Sequence, residues 1–225
     1  MRNIMDLLNK WTVSGVTSFY TIFLVNTYFI LSNLVGFLAL FVFKISFTNL
    51  LFFIIPLLLL VQSIIMQFHI LPDIESYSLK KFFKDYPRVF KENWQTEVLI
   101  TGILVLILTD LKILMTYTNS AVFLLAVLIT SIFLMNTLLF VLLMQTKKES
   151  RQLSFGKKLT SGLMLSYRLP QVTLLNMVYI GVSIFAIQFV AIYYIIFIGG
   201  FINMLIWKNL QRRFSLELYI NQMNL

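Results

Sequence analysis

From Gln171 to Trp207 the chain runs for 37 residues without a charged side chain, and no other feature limits the fold as strongly. As one helix this stretch would be about 55 Å long at about 1.5 Å per residue. A bilayer offers a hydrocarbon core of about 30 Å, and tilt does not absorb the excess. The run therefore reads as two helices joined by a tight reversal, which the sequence places near Gln188 to Ala191. The chain is 59% apolar and only 12% charged, with a mean hydropathy of +0.87, so its surface cannot be covered with polar groups as in a soluble protein. These features specify an all-α, polytopic membrane helix bundle.

Four further runs reach the length of about 20 apolar residues that a spanning helix needs: residues 18–43, 50–70, 97–117 and 121–144. With the last run divided into 171–188 and 191–208, the expected number is six transmembrane helices in one membrane domain. Lys and Arg mark the cytoplasmic side. They gather in two connectors, residues 71–96 with Lys80, Lys81, Lys84, Arg88 and Lys91, and residues 145–170 with Lys147, Lys148, Arg151, Lys157, Lys158 and Arg168. If both connectors are internal, so are Arg2, Lys10, Lys208, Arg212 and Arg213, and every basic residue except Lys44 and Lys112 is accounted for. The expected location is the bacterial plasma membrane, multi-pass, with both termini cytoplasmic. Trp11, Trp94 and Trp207 then fall at the inner interface, where indole rings prefer to sit.

The connectors predict short interfacial amphipathic helices. In Ser78 to Gln95, Phe82, Tyr86, Phe90 and Trp94 recur every four residues while the charges take the other faces, and Ser78 suits an N-cap. Lys81, Lys84, Arg88, Phe90 and Trp94 are the candidate docking residues, for a cytoplasmic partner or for anionic lipid headgroups. Residues 2–11 show the same pattern at Ile4, Leu7, Leu8 and Trp11, and the segment lacks the form of a cleavable signal. Pro170 suits the first turn of a helix. Gly199 and Gly200 allow either close helix packing or a functional break.

Asp110 and Lys112 are the candidate intramembrane polar residues. A carboxylate facing lipid about 10 Å below the outer edge costs several kcal/mol, so Asp110 is expected to face the bundle. There it would serve either as an interhelical fastener or as a proton or solute site. Lys112, two residues on, points elsewhere and reaches outward.

Several function classes receive no support. The net charge of +9 lies between apolar runs rather than on a nucleic-acid-binding face, so no nucleic acid partner is expected. There is no Cys, and Pro72 separates His69 from Asp73 and Glu75, so no metal site is expected. Paired carboxylates, an activated nucleophile and a phosphate loop are all missing, so no catalytic residue, no cofactor and no enzyme activity are expected.

Asn26, Pro56, the segment Phe90–Gln95 ("FKENWQ"), Asp110 and Tyr167–Pro170 ("YRLP") together resemble the YesL family of uncharacterised bacterial integral membrane proteins, over nearly the full length. After Pro56 the text is "LLLLVQS", where that family favours small residues and Thr. The resemblance implies about six helices and an association with carbohydrate uptake. It points to a non-enzymatic accessory or scaffold protein whose partners are the lipid bilayer and transporter subunits. The alternative is a small-solute transporter, or the substrate-binding membrane subunit of one. Against a permease, the cytoplasmic coupling motif E-A-A-x-x-x-G fails, because Lys157 holds its Gly position and Arg151 to Leu153 its E-A-A.

Overall fold

A computed structural model describes residues 2–43, 47–117, 121–150, 153–211 and 219–220. Among them every regular element is helical: α1 (Arg2–Ser32), α2 (Leu34–Val42), α3 (Ile54–Ile70), α4 (Leu79–Tyr117), α5 (Ala121–Gln145), α6 (Phe155–Arg168), α7 (Pro170–Tyr193) and α8 (Gly199–Gln211), with short 3-10 turns between some of them and a π-helical turn at Tyr194–Ile198. Three helical stretches are long and apolar enough to cross a membrane: Leu51–Ser76, Ala121–Gln145 and Pro170–Gln211. A bent pair, Val16–Ser32 with Leu34–Leu40, makes a fourth, its two parts inclined by 70°. Lys44, the Thr118–Ser120 turn, Arg151, Arg212 and Arg213 lie outside the described residues, as do the side chains on which the amphipathic reading of residues 2–11 rests.

Pro170–Gln211 is helical almost throughout, yet it is not straight. Val190 leaves helical geometry (φ −140°, ψ 45°). Beyond it the chain turns back: Tyr194 Oη donates to Ser183 Oγ at 3.1 Å, and Asn209 Nδ2 donates to Val172 O at 2.9 Å. Residues 172 and 209 would be about 55 Å apart on a straight helix. The charge-free run is therefore an α7–α8 hairpin, and its break lies inside the stretch from which the sequence argument starts. No proline or glycine makes the bend. The break is at Val190, and the π turn Tyr194–Ile198 follows it before α8 begins.

The connectors differ from expectation. Ser78 caps α4, its Oγ accepting from the Lys81 N–H at 3.3 Å. The helix it starts does not end at the membrane surface, however; it continues to Tyr117 as one element of 39 residues. Nothing between Pro87 and Tyr117 breaks a helix except Gly102, and one glycine costs only about 1 kcal/mol. The first connector and the third apolar run thus share a helix. Its Phe82, Asp85 and Val89 are buried, and Gln62 of α3 donates to the Tyr86 carbonyl at 3.0 Å. The face that the spacing assigned to lipid is partly committed to α3.

The second connector behaves likewise. α6 is capped by Ser154 and runs antiparallel beside α5, with Lys158 bonded to Gln145 at 3.0 Å, Ser166 to Asn136 at 2.9 Å, and the rings of Tyr167 and Phe133 stacked at 4.7 Å. Gly162 makes this approach possible: a Cβ there would lie 2.9 Å from Thr137 O. The C-terminal part of α5, Asn136 to Met144, is buried on every side, whereas Val122, Phe123, Leu125, Leu128 and Ile129 of its N-terminal half are exposed. The core sits where the basic connectors fold back onto the apolar helices.

Candidate functional site

Two polar constructions hold that core together. In the first, Asn209 donates to Asn176 Oδ1 at 2.7 Å, Asn176 donates to Asn136 Oδ1 at 2.8 Å, and Asn136 donates to Ser166 Oγ and Thr173 Oγ1 at 2.9 Å each. Thr173 passes its own proton to Ser166 O at 2.7 Å. The chain of donors runs one way through α8, α7, α5 and α6, and all five side chains are buried. Asn209 donates also to Val172 O at 2.9 Å, so the ladder's donors end on acceptors of the same four helices.

The second construction lies at the hairpin. Gly200 N donates to Asn26 Oδ1 at 3.0 Å, while Asn26 Nδ2 donates to Phe197 O at 3.0 Å. One amide of α1 thereby serves a donor and an acceptor of the chain at the π turn. The glycines make room for it: a Cβ on Gly199 would lie 2.2 Å from the Phe29 ring, and one on Gly200 would lie 2.8 Å from Val25 O and 2.9 Å from Asn26 Cα. Close packing accounts for both glycines. Beside them Asn203 donates to Gln67 Oε1 at 2.6 Å, and Gln67 donates to Val25 O at 3.0 Å.

At the start of α4, Tyr77 Oη donates to buried Asp85 at 2.7 Å, and Arg88 pairs with the same carboxylate at 2.7 Å. Burial, with the Asp85 bond adding to it, holds the Tyr77 phenol well above its ordinary range. Tyr86 is pushed up to about 12, first by burial and then by the Glu97 carboxylate. Tyr28 links this corner to α1, donating to Tyr77 O at 2.6 Å.

Of the sequence-derived docking residues, Lys81, Lys84 and Arg88 are exposed, Phe90 is half-buried and Trp94 is half-exposed. Lys81, Lys84 and Arg88 form an outward basic face, with the Lys81 ammonium 4.6 Å from the centre of the Tyr77 ring. A second basic feature is an open cleft of about 640 Å³ bordered by Lys157, Thr160, Met164, Arg168 and Tyr219. Asp110 and Lys112 are not brought into the bundle; both are exposed. The inward orientation expected for Asp110 is thus corrected. It lies on the C-terminal half of α4, where Leu106, Leu108, Ile113 and Tyr117 are also exposed. His69 does not join a metal cluster: among the described residues no group of three or more His, Asp and Glu is placed to hold an ion.

Sequence reasoning passed over the interior amides. Asn136, Asn176 and Asn203 each interrupt an apolar run, and a polar residue within such a run is the signal that could have found them, whereas Asn209 stands beside Lys208 and carries no such signal. Comparison with known proteins finds no matching family model, no similar curated protein and no similar solved structure.

Proposed function

We propose that this chain is a six-span, non-enzymatic integral protein of the bacterial plasma membrane, with both termini cytoplasmic, and that it serves as an accessory or scaffold for a carbohydrate uptake system. The carbohydrate link rests on the YesL resemblance alone. The scaffold reading rests on the amide ladder from Asn209 through Asn176 to Asn136. Polar groups inside a carrier are kept for solute or ions, whereas here those of four helices are used up on one another. The exposed Lys80, Lys81, Lys84, Arg88 and Lys91 suit anionic headgroups or an acidic partner surface at the inner interface.

A small-solute transporter is the second reading, and the buried, unpartnered polar atoms around Glu97 favour it. Two experiments separate the classes. Affinity purification from mild detergent is expected to retain transporter subunits, identified by mass spectrometry. Liposomes holding the protein alone are expected to show no sugar flux above empty liposomes. Flux without partners would overturn the scaffold reading.

A further inference from the structure

Glu97 is fully buried, and neither carboxylate oxygen has a hydrogen-bond partner. Thr101, one turn along the same face of α4, is buried with its hydroxyl also unpartnered. On α3, Gln62 is fully buried with its Oε1 unused, and its Nε2 is tied to Tyr86 O of α4. Thus the Glu97 carboxyl and the Thr101 hydroxyl are left over on one face of α4, in a core whose interior asparagines are hydrogen-bonded.

The neighbouring helices supply no counter-charge. α5 has no ionisable side chain between Ala121 and Gln145. His69, the one ionisable group of α3, has Asp85, Arg88, Lys81 and Glu92 as its charged neighbours. Lys158 of α6 ends on Gln145 Oε1 at 3.0 Å, and Gln145 Nε2 in turn bonds Thr96 at 2.9 Å; the lysine does not reach Glu97. A bare carboxylate with no donor in such a place is strongly disfavoured. While Glu97 is ionised, both of its oxygens can only accept. Adding a single proton converts one of them into a donor with acceptors left to receive it.

We propose that Glu97 is a buried proton-binding site, a neutral carboxyl one turn from the Thr101 hydroxyl, whose proton is released when the packing around α4 admits water. The proton is the ligand, and no covalent step is involved. The site would serve a scaffold as a proton-sensitive joint or a carrier as its coupling group, so it stands apart from the choice between those functions.

The test is infrared spectroscopy of the carboxyl C=O stretch in the full-length protein in lipid. Exposed glutamates ionise near about pH 4.3, so a protonated-carboxyl band that persists at neutral pH reports a buried acid. Such a band is expected in the wild type, absent in Glu97→Gln and shifted in frequency in Thr101→Val. Absence of the band in the wild type at neutral pH overturns the proposal whether or not the variants fold. So does its survival in Glu97→Gln, or its loss when sodium replaces choline at constant ionic strength, which would make the ligand a metal cation.

Discussion

Gly200→Ala is the sharpest perturbation of the hairpin. The new methyl would stand 2.8 Å from Val25 O and 2.9 Å from Asn26 Cα, both backbone atoms of α1, so no rotamer change relieves it and α8 must move outward. Overpacking of this kind costs about 1–3 kcal/mol. The movement also stretches Gly200 N to Asn26 Oδ1 and Asn26 Nδ2 to Phe197 O, each 3.0 Å. In membranes such interhelical bonds contribute about 0.6 kcal/mol on average. Against this, alanine gains about 1 kcal/mol of helix propensity, which leaves a net loss of about 1–3 kcal/mol. Gly181→Ala is the internal control, because a Cβ there meets nothing within 4 Å; it should stabilise by up to about 1 kcal/mol. Unfolding in mixed micelles of rising SDS fraction should separate the two variants by about 1–4 kcal/mol, with opposite signs relative to wild type. Equal stability of the two would refute the α1–α8 contact.

Asn176→Leu strands the Asn136 carbonyl and one Asn209 proton in the core, and should cost about 2–4 kcal/mol in the same assay; Asn136→Leu combined with Asn176→Leu should recover part of it. Asp110→Ala should change stability by less than about 0.5 kcal/mol, since Asp110 is exposed and makes no bundle contact to lose. Burial lowers the Lys158 ammonium from its ordinary value, so the folded state holds fewer protons than the unfolded one between that lowered value and about 10.4. Stability should therefore rise with pH through that window, and an unfolding series at increasing pH should show the slope lost in Lys158→Met.

The reversal was legible because two independent arguments, the excess length of one run and the sidedness of Lys208, Arg212 and Arg213, pointed to it. The packing role of Gly199 and Gly200 was legible for a related reason: adjacent glycines in a spanning helix serve backbone approach. The course of the connectors was not. The Phe82, Tyr86, Phe90, Trp94 spacing announces an amphipathic helix but not what covers it, and α3 competes with lipid for the same face. Asp110 was expected to face inward because a carboxylate facing lipid is costly, whereas the C-terminal half of α4 that carries it is exposed. Glu97 looked like the edge of an apolar run. Only the tertiary packing of α4 shows it to be buried without a partner.

The claim that most needs a direct measurement is the sidedness of the α7–α8 hairpin. The chain has no native cysteine, so Val190→Cys and Lys208→Cys can each be probed in intact cells with a membrane-impermeant maleimide. Six spans with an internal C-terminus predict that residue 190 is labelled from outside, while residue 208 is labelled only after permeabilisation. Labelling of residue 208 in intact cells would contradict the account.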